Sequence, residues 1–375
     1  MRELQKIAAK LAAVLPGEAP LALATVVHVE GSSYRRSGAK MLIDPSGTTT
    51  GTVSGGCLES DVILQAQAVL ADGVPRLLRY DTTSEQDRIM GSGLGCDGIV
   101  EVFVEQLSSQ SDKAAWLRDA VTSRQPMAMM TVLECDLRGD AQPGRVLLVL
   151  GGANAKFGSS GDVALDAHLV DTARPMIDAR GRSQTLACGK THGAARVFVD
   201  VLSPAPELFV IGAGADAPPL VELAIALGWR VSVVDHRAAY LTKERFPTAA
   251  ALIPCNPADP AALLPIPADA CVALMTHNFQ RDGEFLRRVL PLPLRYLGLL
   301  GPRLRTGRLL AEIAGSGIEV AAEWLEKVYA PMGLDLGGEG PEAIAIAALA
   351  EMQAVLAGKS AGFLRDRQGP IHDPR

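Results

Sequence analysis

From residue 207 onward the chain alternates short apolar runs with helix-forming stretches, and this pattern restricts the fold more than any other feature of the sequence. Residues 208–211 read as a buried strand, GAGADA at 212–217 as a tight glycine turn, 218–227 as a helix closed by Gly228, and 230–235 as a second strand ending in Asp235. Strand, glycine turn, helix and strand in that order open a Rossmann unit, in which Gly212 and Gly214 would let a pyrophosphate approach the backbone and Asp235 would meet a ribose hydroxyl. Strands are expected again over 251–255, 271–275 and 296–300, with helices over 259–264 and 282–290. A last helix over 341–356 is apolar nearly all round, which calls for packing between surfaces or in a subunit interface. The glycine turn admits NAD(P), but Asp216 brings a carboxylate to the helix start and Pro218-Pro219 removes two N–H donors, both of which oppose a pyrophosphate. At the carboxyl ends of later strands, His277 and the helix-starting Arg303 and Arg305 are further ligand candidates, since arginines at a helix start oppose its dipole unless an anion is present.

The stretch Ser203-Pro204-Ala205-Pro206 is the best linker in the sequence, and it divides the chain into a mixed α/β domain over 1–203, a doubly wound parallel-sheet domain over 207–358 and a tail over 359–375. In the first domain a strand over 21–30 delivers the chain into GSSYRRSGAK (31–40), where small residues flank three cations. Ser32, Ser33, Arg35, Arg36 and Lys40 are there as an anion-binding set. A hairpin turning at 44–47 then brings Ser54-Gly55-Gly56-Cys57 toward that loop, ahead of a helix over 58–70. A cysteine at a helix start is placed where backbone amides and the dipole favour a thiolate. Glu59 beside it serves either as a proton relay or as a cap, and Cys96 in GSGLGCDG (91–98) is a second thiol. The structural alternatives are ordinary ones: glycine turns with surface arginines, and cysteines as small core residues. Further on, 196–202 (RVFVDVL) echoes 101–107 (EVFVEQL), as two matching strands that one sheet could hold, whereas 136–190 shows a single strand, 146–150, between loops.

The formal net charge of −6 argues against a nucleic-acid surface and makes the basic loop a local feature. The six cysteines form no CxxC or Cys/His pairing, so neither a structural zinc site nor a disulfide framework is expected, and a reducing, cytoplasmic setting fits best. Lys6 and Lys10 interrupt the apolar pattern at the start of the chain, which reads as an amphipathic helix rather than a signal peptide. No run of 18 apolar residues occurs, so no ordinary membrane span is expected.

GSSYRRSGAKM, GTVSGGCLESDV, GLGCDG, GAGADAPPL, MTHN, YLGLLGPR and APMGLDLGGEGPEAIAIA follow one another as do the motifs of the xanthine dehydrogenase accessory factor family, XdhC/CoxI, which this chain resembles over nearly its whole length, least over 136–190. The resemblance implies an accessory factor that binds molybdenum cofactor, as molybdopterin or its dinucleotide, supports its sulfuration by a cysteine desulfurase, and delivers it to a molybdenum hydroxylase apoenzyme; no complete catalytic constellation is identified in the sequence. It places Arg35, Arg36 and Lys40 on the cofactor's anionic end and Cys57 on its metal or sulfur. The sequence departs from the family at Tyr34, where Pro is frequent, at Ala215, where His is common, and at Pro302, where Ser stands. Two other readings compete: an NAD(P)-dependent oxidoreductase using His277 as acid or base, and an adaptor that only docks the desulfurase to its target. A homodimer through the closing apolar helix is expected, or a monomer with that helix in the Rossmann core.

Overall fold

The computed structural model describes residues 1–31, 34–81, 98–136, 140–152, 155–188, 194–259 and 261–368. The chain forms two compact units, Met1–Pro204 and Ala205–Arg375.

In the first unit α1 (Arg2–Ala13) precedes β1 (Leu21–Gly31), β2 (Lys40–Ile43), β3 (Thr49–Gly51), α2 (Glu59–Asp72), β4 (Arg76–Asp81) and β5 (Gly98–Leu107). After α3 (Asp112–Thr122), capped by the Ser111 hydroxyl accepting from the Ala114 N–H, come β6 (Met127–Cys135), β7 (Val146–Leu150), β8 (Lys156–Gly158), α4 (Val163–Asp178), β9 (Gln184–Cys188) and β10 (Ala195–Leu202). The first five strands pair in the order β3-β2-β1-β5-β4 and the second five in the order β8-β7-β6-β10-β9, every pairing antiparallel. The two orders are the same order. Three strands, a helix and two strands are therefore laid down twice, once on each side of α3.

The registers carry the repeat to single residues. Thr25 faces Phe103 as Thr131 faces Phe198, and the β1–β5 ladder slips at Val27 where the β6–β10 ladder slips at Leu133. Just before β2 the Gly38 N–H bonds the Val26 carbonyl at 2.8 Å; before β7 the Gly144 N–H bonds the Val132 carbonyl at 2.9 Å. Both glycines have positive φ, 95° and 88°, which a residue with a β-carbon adopts only under strain. The strands over 101–107 and 196–202 thus match as their sequences suggest, but in separate sheets rather than one.

Alternation sends successive side chains of each strand to opposite sides of its sheet. Ala22, Ala24, Val26, Val102 and Val104 pack with Val62, Ala66 and Val69 of α2, while Met130, Val132, Val197 and Val199 pack with Leu165, Leu169 and Ala173 of α4. The opposite faces of the two sheets meet through Val27, Phe103, Leu133 and Phe198, with Ile7 and Leu11 of α1 and Leu117 of α3 closing one end.

The second unit begins with β11 (Glu207–Ile211), α5 (Ala217–Ala226), β12 (Arg230–Asp235) and β13 (Ala251–Pro254). It continues through β14 (Cys271–Leu274), α6 (Phe279–Val289), β15 (Tyr296–Leu299), α7 (Arg303–Gly315), α8 (Ala322–Leu325), β16 (Val328–Tyr329) and α9 (Pro341–Ala357). Its strands form one parallel sheet in the order β13-β12-β11-β14-β15-β16, the doubly wound arrangement expected from the sequence. Ala345, Ala348, Leu349 and Met352 of α9 pack into the core that α5 shares with this sheet, while Ile346 on the other side is exposed.

Two sequence expectations fail. No helix forms in the described residues over 259–264: prolines at 257, 260, 265 and 267 deny N–H donors and push their preceding residues out of helical geometry. Conversely, 136–190 holds more than one strand, since α4 forms despite Pro175 near its end and β8 and β9 flank it. Among the described residues no helix is long and apolar enough to cross a membrane.

Candidate functional site

Between β3 and α2 the chain makes a turn, 52–58, that exposes Cys57. Ser54 organises it: its buried hydroxyl accepts from the N–H groups of Gly56 and Leu58, both at 3.1 Å. The same hydroxyl donates to the Glu59 carboxylate, which also accepts from the Thr52 hydroxyl and, at 2.9 Å, from the Ser54 N–H. Burial works against the charged form of Glu59, but these donors outweigh it and hold the carboxyl at about 2. Glu59 is therefore an anion at neutral pH, spent on bracing the turn that carries Cys57.

The second repeat shows what this turn would otherwise be. The same number of residues separates Gly51 from Glu59 and Gly158 from Asp166, and Asp166 likewise accepts from the Ser159 hydroxyl, at 2.8 Å, and from the Ser160 N–H and hydroxyl. There Asp162 caps the helix by accepting from the Leu165 N–H at 2.8 Å, and α4 begins at once with Val163. In the first repeat the positions of Asp162, Val163 and Ala164 hold Gly55, Gly56 and Cys57. With no capping side chain, and with Gly56 at φ 112°, the helix waits until Glu59, and the thiol stands on an unwound turn.

The basic loop does reach this turn. A β-carbon on Gly55 would stand 3.5 Å from the Tyr34 ring, so Tyr34, 69% exposed, lies against the turn that presents Cys57. Arg36 beside it is exposed, and Arg35 pairs with Glu3 of α1. Lys40, grouped by sequence with these arginines, is turned the other way: it is 5% exposed, lies between the sheets, and pairs with Asp200 of β10. Alternation explains this, because Lys40 sits opposite Thr25 on the inward face of β2. Ser32, Ser33 and Cys96 lie outside the described residues. Glu3 and Asp200 escaped the sequence reading; for Asp200 a signal existed, its place beside Phe198 on the inward face of β10, as Glu105 lies beside Phe103.

In the second unit Gly212, at φ 113°, lies so close to the next strand that a β-carbon would come within 2.5 Å of the Met275 carbonyl oxygen. Asp235, almost fully buried, accepts from the Ala213 N–H at 2.8 Å and from the backbone and guanidinium of Arg237. Burial opposes its ionisation, yet Arg237 and the backbone donors prevail and keep its carboxyl below the ordinary range. Arg237 in turn stacks 3.9 Å from the Tyr240 ring centroid. Asp216 precedes α5 without capping it and pairs with His277, whose Nε2 is 2.7 Å away and whose φ is 58°. Gly214 lies next to the His277 ring and accepts from Arg245 through its carbonyl. Arg305 pairs with the buried Asp282, which also accepts from Thr276, whereas Arg303 is exposed at the first turn of α7. The glycines, Asp235 and His277 thus gather at one crevice, with their polar groups already engaged by the chain itself. Among the described residues no cluster of three or more His, Cys, Asp or Glu could hold a metal ion.

Two family models match the chain: "XdhC and CoxI family" over residues 15–81, and "XdhC Rossmann domain" over residues 208–352. A Bacillus subtilis protein described as a probable xanthine dehydrogenase subunit is 33% identical over 344 residues, covering 91% of this chain and 95% of that protein. The chain belongs to the XdhC and CoxI family. The resemblance read from its motifs is borne out on both units. The "molybdenum cofactor insertion chaperone PaoD" of Escherichia coli is 24% identical over 89% of this chain and 82% of its own length. A crystal structure described as a xanthine dehydrogenase from Bacillus halodurans matches 96% of this chain and 97% of its own, with a TM-score of 0.74 and 31% identity. The XdhC and CoxI match ends with β4, so it covers the part of the first repeat that carries Tyr34, Arg36 and Cys57 and none of the repeat where alanine replaces the cysteine.

Proposed function

We propose that this chain is a maturation factor for a molybdenum hydroxylase, binding molybdenum cofactor as cargo and releasing it into the apoenzyme. The observation that carries the reading is the exposed Cys57 on an unwound helix turn, with Tyr34 of the arginine loop lying against that turn at Gly55, inside the segment matched by the XdhC and CoxI model. The chemistry of the cargo suits these groups. Molybdenum carrying sulfur ligands is thiophilic, and the pterin carries a phosphate that a guanidinium can take bidentately. Cys57 takes the metal or sulfur end and the Arg35 and Arg36 guanidinium groups the anionic end, Arg35 giving up Glu3 to do so. The likeness to the insertion chaperone PaoD supports the same role.

At finer resolution the reading holds that the bound cofactor is sulfurated by a cysteine desulfurase before transfer. Within the second unit, the backbone donors of the glycine turn open to a phosphate or nucleotide only if the Asp216–His277 pair separates. A nicotinamide-dependent enzyme finds less support, because Asp235, which such an enzyme needs for the ribose, is taken by Ala213 and Arg237. The test is transfer: anaerobically purified, cofactor-loaded chain is mixed with apo-hydroxylase and activity is followed. Wild type activates the apoenzyme and Cys57→Ala does not; equal activation by both would refute the thiol's role.

A further inference from the structure

The two repeats of the first unit are alike in topology and register but unlike in what lies under their loops. Beneath the loop of the first repeat, the Lys40 ammonium donates to the Gly38 carbonyl oxygen at 3.0 Å and pairs with the Asp200 carboxylate at 2.5 Å. The other oxygen of Asp200 accepts from the Ser183 hydroxyl at 2.8 Å, and that hydroxyl accepts from the Val201 N–H at 3.1 Å. Gly38 rests directly on this group: a β-carbon there would stand 3.1 Å from the Ser183 oxygen and 3.2 Å from Asp200. Thr185 adds a third tie, donating to the Val27 carbonyl at the bulge of β1 at 2.7 Å. Ser183, Thr185 and Asp200 all belong to the second repeat.

The reverse arrangement lacks this network. Beneath Gly144, the counterpart of Gly38, stand Pro75 and Glu105, the counterparts of Ser183 and Asp200. Val146 replaces Lys40, and Glu105 is paired with Lys113 of α3, which also donates to Thr131. A buried ion pair is weak evidence for stability, because desolvation consumes most of its attraction, but it fixes a geometry. Here it is kept under the loop that carries Tyr34, Arg35 and Arg36, whereas at the equivalent place on the other side Val146 stands for the lysine and the Glu105 carboxylate is drawn to Lys113 of α3.

We propose that Asp200 and Ser183 are positioning residues for the site: the second repeat, which has lost the cysteine, holds the 34–38 loop of the first in place against the Cys57 turn. The part of this statement that concerns cofactor rests on the function proposed above, whereas the holding of the loop does not.

The test joins two readouts on the full chain. In Lys40→Met/Asp200→Leu an apolar pair of similar bulk replaces the ions, an exchange that cores often accept without loss of stability. Limited trypsin digestion then reports the loop through cleavage after Arg35 and Arg36, with cleavage at sites outside it and the thermal midpoint as controls for the fold. The expected result is cleavage in the loop about tenfold faster at unchanged cleavage elsewhere, since proteolysis follows the population of the open form. Ser183→Ala, which leaves the ion pair in place, should give a smaller rise in the same bonds, and it decides alone if the double variant does not fold. Loop cleavage at the wild-type rate would overturn the proposal. Faster cleavage with a fall in molybdenum content supports both proposals; faster cleavage with wild-type content supports the positioning role and contradicts the loop's part in cofactor binding.

Discussion

Glu59 illustrates how one side chain can brace the turn that presents another. Its carboxyl titrates near 2 in the folded chain against about 4.5 unfolded, so its contribution to stability is fully present above the unfolded value and is lost as pH falls through the folded one. Glu59→Gln should therefore cost on the order of 1–3 kcal/mol at pH 7, the worth of hydrogen bonds to a charged acceptor. The difference from wild type should shrink as pH is lowered from about 4.5 toward 2 in denaturant titrations. A difference that stays constant over that range would mean that the carboxylate charge is not what braces the turn. At this scale the sequence was informative where chemistry is local. Cys57 among glycines and the paired arginines could be recognised without a fold; strand alternation marks Asp200 as inward-facing, but its pairing with Lys40, 160 residues away, needs the fold.

The contrast between α2 and α4 places the exposure of Cys57 at the level of the element. A carboxylate clasp closes both helix starts, Glu59 in one and Asp166 in the other, but the cap differs, glycines in one and Asp162-Val163 in the other. Gly55→Asp/Gly56→Val should supply the missing cap, draw Cys57 into the first helical turn and slow its alkylation by iodoacetamide several-fold, with far-ultraviolet circular dichroism showing the added turn. Undiminished alkylation would show that the cap does not set the exposure. At the start of the Rossmann unit, Gly212→Ala should destabilise the second unit by about 2 kcal/mol or more in thermal unfolding, since its β-carbon meets the backbone of the neighbouring strand. The Rossmann elements were legible because each is signalled within a few residues: an apolar run, a glycine turn, a terminal Asp. The stretch 136–190 was not, because Pro175 inside α4 and the polar residues of its exposed face hide a helix that the packing of Leu165, Leu169 and Ala173 sustains.

Across the whole molecule, a duplicated antiparallel unit is joined to a parallel one, and the chemistry is uneven in both. One repeat keeps the thiol and the arginines, and its twin keeps the topology, the bulge and the clasp. The echo between 101–107 and 196–202 was the one visible trace of this duplication, since the rest lies in register and strand order, which only the fold reveals. The Rossmann unit keeps its glycine turn, but Asp235, Asp216 and His277 are engaged with the chain's own groups. Calorimetric titration with NAD+ and NADPH should accordingly show no saturable binding at micromolar concentrations; tight binding would restore the dehydrogenase reading. The most direct test of the central claim is the molybdenum and pterin content of chain purified without oxygen from cofactor-producing cells, wild type against Cys57→Ala. The account predicts near-stoichiometric loading of the wild type and a loss of most of it in the variant. A wild-type chain without molybdenum, or a variant loaded as fully as the wild type, would contradict it.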